Sequence, residues 1–120
     1  MYKRNFPDIV HLSGNICGLS AAKMTKLGVQ CILMSPPCQP FTRQGKQEGL
    51  KDPRTQPLVH LIDSLAGVER LQYVLVENVK GFETSDARGK MVEALDKIGF
   101  ARLEFLLSPA HFGVPNSRLR

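Results

Sequence analysis

The sequence has few of the features that mark secreted, metal-binding or membrane proteins. Its 120 residues include three cysteines, whose odd number and wide spacing argue against a disulfide framework, and the lack of a Cys-x-x-Cys pair argues against a zinc site. No apolar run approaches the ~20 residues of a membrane helix, and the first residues lack the apolar stretch of a signal peptide. Reduced thiols are typical of cytosolic or nuclear proteins. We therefore expect a cytoplasmic protein, with the nucleus as a second location, and neither a membrane partner nor a metal.

Repeats and low-complexity segments are absent as well, and the composition is that of an ordinary globular domain, with 42% hydrophobic and 22% charged residues. The formal net charge of +5 suits an anionic partner such as nucleic acid, although many basic domains bind nothing acidic. Residues 2–6 resemble the tail of a helix entered midway, and the chain stops soon after a glycine-proline turn. We interpret the chain as a fragment or truncated form of a larger protein.

Strand and helix patterns alternate along the chain. Short apolar runs predict strands at residues 9–12, 31–34, 73–76 and 102–107, those at 31–34 and 73–76 being buried. Helices are predicted over residues 18–27, from a Thr55 cap to about residue 65, and from a cap at Thr84 or Ser85 to a stop at Gly99. This order predicts an α/β fold with a parallel sheet and flanking helices. Residues 35–54 and 108–120 are read as a long loop and an irregular tail.

The predicted helices have apolar faces at helical spacing, which we expect to point inward. The inward residues are Leu19, Met24 and Leu27 in the first helix, Leu58, Leu61, Ile62 and Leu65 in the second, and Met91, Val92, Leu95 and Ile98 in the third.

Cys38 is the most informative residue of the chain. It follows the predicted strand at 31–34 and is preceded by Pro36 and Pro37. Two prolines fix φ and remove two backbone donors, so the chain leaves the sheet along a stiff, extended path. Such a frame holds a sulfur atom at one place, which a nucleophile needs and a cysteine in a core does not.

Glu77 is the candidate partner of this thiol. It directly follows the predicted strand at 73–76, and the carboxyl ends of neighbouring parallel strands share one edge of the sheet, where ligands bind. A glutamate buried at such an edge can act as an acid. Nearby positive charge favours the thiolate form of a cysteine. The basic residues of the loop and the tail are Arg43, Lys46, Lys51, Arg54, Arg118 and Arg120.

Each of these features also has a purely structural interpretation. A lone cysteine after a strand is commonly a small hydrophobe, and a carboxylate at a strand end is commonly a helix cap or a salt-bridge partner. Asn78 could continue a turn, and charges in a loop usually form a solvated face. The three histidines, His11, His60 and His111, are scattered and suggest no thiol protease. From the residues alone, a catalytic site and a structural role remain about equally supported.

Three motifs together resemble the cytosine-C5 methyltransferase family. They are Pro36-Pro37-Cys38-Gln39, Glu77-Asn78-Val79 and Arg118-Leu119-Arg120, and their order and spacing agree over nearly the whole chain. The continuations, at residues 38–43 and 112–120, are similar to a branch that acts mainly on cytosine in the anticodon loop of tRNA, notably aspartate tRNA. The resemblance implies a partial Rossmann-like methyltransferase fold that depends on S-adenosylmethionine.

The resemblance also implies roles for individual residues. Cys38 would attack C6 of cytosine, and Glu77 would contact N3 and the exocyclic amine and protonate the ring. Arg118 and Arg120 would stabilise the base and the cysteine loop. Asn78 would brace the site. C5 would then take the methyl group of S-adenosylmethionine, and elimination would free the cysteine.

Further residues match positions of the family near the cofactor and the substrate. Ile16, Cys17 and Ser35 match positions near the adenosine end of S-adenosylmethionine, and Gln39 and Arg43 match supporting positions. The expected macromolecular partner is tRNA, with DNA as the alternative. An unpaired loop base is cheaper to turn into a pocket than a paired one, which fits an RNA loop.

The chain lacks other parts of the family pattern. This sequence has no counterpart of the family's glycine-rich cofactor loop, of the acidic residue that holds the ribose, or of the target-recognition region. Gln30 stands where an aspartate is common in the family. We therefore expect residues 1–120 to be a partial catalytic domain that alone binds cofactor poorly and turns over little. The alternatives are a truncated non-catalytic form, a DNA-directed member of the family, and an unrelated α/β domain with a redox-sensitive thiol.

Overall fold

The computed structural model describes residues 2–37 and 53–120, which form a two-stranded parallel sheet with helices packed on one face. None of the helices in this part of the chain is long and apolar enough to span a membrane. The helices and strands are α1 (Tyr2–Asn5), α2 (Ala21–Lys26), β1 (Cys31–Met34), α3 (Gln56–Ser64), β2 (Tyr73–Val76) and α4 (Asp86–Lys97). Single 3₁₀ turns lie at Ile16–Gly18, Pro53–Thr55, Leu65–Gly67, Phe82–Thr84 and Pro109–Phe112.

The two strands are parallel neighbours, as the strand–helix–strand order predicts. Cys31 pairs with Tyr73 and Met34 with Val76, so both strands end at the same level. Their burial alternates, because successive side chains of a strand point to opposite faces. The prediction of buried strands therefore holds for neither strand as a whole, because one face is half-buried and the other is exposed. The inner face consists of Ile32, Met34, Val74 and Val76, and the exposed face of Cys31, Leu33, Tyr73 and Leu75.

The hydrophobic core lies between the inner face of the sheet and helices α3 and α4. The predicted faces of both helices are confirmed, since their apolar residues are buried or half-buried there. The burial of one Leu, Ile, Met or Phe side chain contributes about 1.5–3 kcal/mol to folding. The core residues are Leu58, Ile62, Leu65, Phe82, Ala87, Met91 and Leu95.

Most of the predicted helix ends are confirmed. Ser85 is the cap of α4, where its side chain accepts a hydrogen bond from the Arg88 backbone, and Gly99 follows the helix with a left-handed φ of +77°. Thr55 precedes α3, but its side chain makes no capping hydrogen bond to the helix. The reason is that Thr55 ends a 3₁₀ turn with φ −84° and ψ −19°, whereas a capping residue is extended.

Two other expectations are wrong, and a third, the first helix with Met24 inward, is confirmed only in part. Residues 9–12 form no strand, because the chain turns there: the Ile9 amide bonds the Phe6 carbonyl, and so does the His11 ring. Residues 102–107 form no strand, since the sheet of the described residues consists of β1 and β2 and this segment is joined to another only at Leu107, which exchanges backbone bonds with Arg120; Leu103 is 84% exposed. The first predicted helix is shorter, at Ala21–Lys26, and Leu27 points outward at 49% exposure.

Candidate active site

The carboxyl ends of β1 and β2 open into one cleft, as the sequence predicts. The Glu77 amide donates a 3.0 Å hydrogen bond to the Met34 carbonyl, which continues the strand pairing by one residue. Beyond this bond, the segments that follow β1 and β2 line a cleft of about 500 Å³. Its lining residues are Ser35, Pro36, Pro37, Glu77, Asn78, Val79, Arg118 and Arg120.

Glu77 and Arg120 form an ion pair in this cleft. The Arg120 Nε lies 2.7 Å from Glu77 Oε1. The glutamate side chain is 54% exposed and the arginine 25%, so the expectation of a buried carboxyl is wrong. Glu77 directly follows Val76, the last residue of β2. A carboxylate in this position can contact a ligand in the cleft directly.

The backbone holds Arg120 opposite the strand ends. Its amide donates to the Leu107 carbonyl, and its carbonyl accepts from the Leu107 amide, both at 2.8 Å. Its guanidinium Nη1 also donates to the Leu119 carbonyl, at 3.1 Å. Two backbone bonds and two side-chain contacts thus direct the guanidinium toward Glu77, while Arg118, two residues earlier, lines the same cleft.

Asn78 connects the two walls of the cleft. Its Nδ2 donates to the Pro36 carbonyl at 3.5 Å, and its Oδ1 accepts from the Val79 amide at 2.9 Å. The bond to Val79 agrees with the turn interpretation, and the role of Asn78 in bracing a catalytic site stays a prediction. The 2.9 Å bond fixes the turn after β2, and the longer bond reaches across to β1.

Three of the predicted site residues lie outside the described residues, namely Cys38, Gln39 and Arg43. Cys38 follows Pro37 directly in the sequence, and Pro37 lines the cleft. The predicted contact between the thiol and Glu77 stays a prediction. Of the basic loop residues, Lys46 and Lys51 also fall outside the described part of the chain.

The predicted cofactor residues divide between two places. Ser35 lies in the cleft, exposed at the end of β1. Ile16 and Cys17 lie in an exposed 3₁₀ turn that contacts α3 and do not line the cleft; the Asn15 side chain accepts from the Cys17 amide at 3.0 Å. Within residues 2–37 and 53–120, no three His, Cys, Asp or Glu side chains are grouped as a metal site would require.

A small capped turn, which was not predicted from the sequence, precedes the two arginines of the cleft. Residues 108–120 are not wholly irregular, because Ser108 and His111 cap the turn Pro109–Phe112 reciprocally, and Gly113 ends it with φ +75°. Ser108 is also one of two polar residues buried in the described chain. A serine followed by proline, with glycine a few residues later, is the pattern of a capped turn and could have been recognised in the sequence.

A carboxylate, an amide and two guanidinium groups thus converge at the carboxyl edge of a parallel sheet. This is the usual ligand-binding edge of an α/β fold, and its charged groups can form charge-assisted hydrogen bonds with a ligand. The fold and the cleft define an α/β protein with a polar binding site. The chain belongs to the C-5 cytosine-specific DNA methylase family, whose sequence profile matches residues 1–120.

Relatives of this chain include proteins named as tRNA methyltransferases and as DNA methyltransferases. The chain is 50% identical to mouse tRNA (cytosine(38)-C(5))-methyltransferase over 121 residues, which cover 100% of this chain and 29% of the mouse protein. It is 46% identical, over 73% of its length, to 24% of a Dictyostelium discoideum DNA (cytosine-5)-methyltransferase. The crystal structure of a Spodoptera frugiperda DNMT2 mutant superposes with a TM-score of 0.82 and 48% identity, covering 98% of this chain and 36% of that one. The chain therefore spans about a third of the length of such relatives.

Proposed function

We propose that this chain carries catalytic residues of an enzyme that methylates C5 of cytosine in RNA, with the anticodon loop of a tRNA as the substrate. The observation that carries the proposal is the convergence of Glu77, Arg118 and Arg120 on the cleft that the proline pair enters just before Cys38. The mouse relative is named for cytosine 38 of tRNA, which supports the choice of RNA. Cytoplasmic or nuclear localisation is part of the same proposal.

In the proposed reaction the thiolate of Cys38 adds to C6 of the cytosine ring. Glu77, in its protonated form, contacts N3 and the exocyclic amine and gives its proton to N3, so that the electron pair of the attacked bond gathers at C5. C5 would take a methyl group whose bond to the sulfonium sulfur of its donor breaks; loss of the C5 proton to a base and return of the N3 proton to Glu77 would then break the sulfur–C6 bond and restore the aromatic ring. Each bond that Cys38 makes is thus broken again within one turnover.

The arginines have an electrostatic role in this proposal. Arg120 already contacts Glu77 at 2.7 Å, and it keeps the carboxylate oriented toward the cleft. Arg118 adds a second positive charge to the lining of the cleft. Fixed guanidinium groups favour an anionic nucleophile and a phosphate backbone, and they need no reorganisation when the substrate arrives.

S-adenosylmethionine would supply the methyl group when bound. Of the residues assigned to it, Ser35 has its hydroxyl in the cleft, whereas Ile16 and Cys17 lie in an exposed turn outside the cleft. We propose these residues for the adenosine end of the cofactor.

A methyl-transfer assay tests the proposal. The full-length protein that carries this chain, with the 120-residue chain in parallel, is incubated with labelled S-adenosylmethionine and with aspartate tRNA or duplex DNA. We expect label in the tRNA, and little or none with the 120-residue chain. Label in DNA alone would show that the substrate is DNA and not RNA. Label in neither nucleic acid would refute the proposed methyltransferase activity.

A covalent trap tests the nucleophile separately. RNA that contains 5-fluorocytosine cannot lose its C5 substituent, so the sulfur–C6 adduct should accumulate and migrate as a protein–RNA complex. The adduct should disappear in Cys38→Ala and persist in Cys31→Ala, a control for an exposed cysteine on β1. An adduct that survives Cys38→Ala would assign the nucleophile elsewhere.

A further inference from the structure

The arginines of the cleft are carried by a closed loop. Leu107 and Arg120 exchange two backbone hydrogen bonds of 2.8 Å, which join the two ends of the segment between them. The loop consists of residues 108–119. Because the bonds close the base of the loop, the direction of Arg118 and Arg120 depends on how its interior is folded.

Ser108 organises the interior of this loop. Its side chain is buried, with the residue only 6% exposed. Its Oγ donates to the Asn116 carbonyl at 3.3 Å and accepts from the Ala110 amide at 3.4 Å, while its own amide donates to His111 Nδ1 at 3.3 Å. One hydroxyl can donate and accept at once, so Ser108 ties the first turn of the loop to its returning limb.

The remaining turns of the loop are fixed locally. Pro109 sets φ at the first position of the turn, and Gly113 takes the left-handed φ of +75° that reverses the chain. The Val114 amide then bonds the Pro109 carbonyl at 3.1 Å. The returning limb therefore reaches Ser108 at Asn116, only two residues before Arg118.

We infer that Ser108, supported by His111, is a positioning residue for Arg118 and Arg120. The Glu77–Arg120 pair is partly exposed, and ion pairs in contact with solvent supply too little free energy to choose the position of a guanidinium by themselves. The backbone must therefore deliver it, and the bond from Ser108 to the Asn116 carbonyl fixes the last part of that path. This inference rests on the proposed function, in which both arginines act in the cleft.

The competing explanation is that Ser108 only stabilises the fold, as any buried capping serine does. Ser85 is a matched control, because its Oγ caps α4 by accepting from the Arg88 amide at 3.2 Å and takes no part in the loop. Ser85→Ala should lower the urea midpoint and leave both the turnover per folded molecule and the loop unchanged.

The test compares Ser108→Ala, Ser108→Thr and Ser85→Ala in the full-length protein. For Ser108→Ala we expect kcat for methyl transfer to fall roughly tenfold or more, since small displacements of catalytic groups are costly, with a smaller change in KM. Amide exchange at Leu107 and Arg120 should become faster. Ser108→Thr keeps the hydroxyl and should restore both. His111→Ala should give the same effects in a weaker form, because it removes the acceptor of the Ser108 amide bond. Since His111 is exposed, this variant can test the inference even if Ser108→Ala fails to fold.

The outcomes separate this inference from the proposed function. If the wild-type protein methylates nothing, the proposed function fails, and the exchange rates at Leu107 and Arg120 still report whether Ser108 holds the loop. If the Ser108 and His111 variants that fold behave like Ser85→Ala, with lower stability but unchanged kcat, the positioning role is refuted. Faster exchange with unchanged kcat would refute it as well.

Discussion

Arg120 Nε lies 2.7 Å from Glu77 Oε1, so the last motif of the chain contacts the residue that directly follows β2. This contact joins two segments that are far apart in the sequence. It depends on the pairing of β1 with β2, which exposes Glu77 at the strand ends, and on the bonds between Leu107 and Arg120, which return the chain to the same edge. The two residues should therefore act as one unit.

Replacing Glu77 by glutamine should abolish most of the methyl transfer and preserve the fold. The amide keeps the shape of the side chain but cannot give a proton to the ring, and a general acid contributes about 10²–10⁴-fold to a rate. The measurement is kcat with tRNA in the full-length protein, together with the urea midpoint. Glu104→Gln is the control, because Glu104 also pairs with an arginine, Arg88, but does not line the cleft. Equal losses in both variants would contradict the role of Glu77.

Combining Glu77→Gln with Arg120→Gln should show that the pair is coupled. If Arg120 works by orienting Glu77, its removal costs little once the carboxylate is gone, so the two effects on log kcat should be far from additive. A double-mutant cycle of the four proteins measures this. Additive losses would mean that Arg120 acts on the substrate independently of Glu77.

Two glycines should respond to alanine in opposite directions. A Cβ at Gly67 would lie 2.8 Å from the Ala21 Cβ, where α2 packs on the turn after α3, so Gly67→Ala should destabilise the protein by about 1–3 kcal/mol through overpacking. Gly89 lies inside α4, and a Cβ there would meet no atom of the described residues within 4 Å. Gly89→Ala should therefore stabilise the helix by about 1 kcal/mol. Urea unfolding measures both, and changes of the same sign would contradict the packing described for Gly67.

The ion pair between Glu104 and Arg88 should make part of the stability depend on pH. The hydrogen bond from the Arg88 guanidinium, followed by its charge, lowers the pKa of Glu104 below the ordinary 4.5. A carboxyl with a lowered pKa in the folded state contributes stability that is complete above pH 4.5 and is lost as the pH falls through the lowered value. The urea midpoint of wild type should therefore exceed that of Glu104→Gln at pH 6, and the two should converge in acid. A gap that persists at pH 2 would show that the glutamine variant is weaker for another reason.

The predictions from the sequence succeeded where neighbouring residues decide the outcome. The apolar faces of α3 and α4, the Ser85 cap and the glycine stop at Gly99 are local patterns, and all are confirmed. The adjacency of β1 and β2 was also predicted, because a right-handed crossover leaves few alternatives. The wrong expectations, such as the strands at 9–12 and 102–107, concern segments whose state depends on a pairing partner elsewhere in the chain.

The sequence by itself determined the family and the candidate catalytic residues. These are Cys38 after its proline pair, Glu77 after a strand, and the two arginines. Motifs carry this information because the chemistry requires particular side chains in a particular order. Only the tertiary structure decided that Glu77 is half exposed rather than buried and that Arg120 is its partner. It also decided that Ser108 bonds the returning limb of the loop at residues 108–119. Burial and contact depend on which distant segments meet, and that is fixed by the packing of the whole chain.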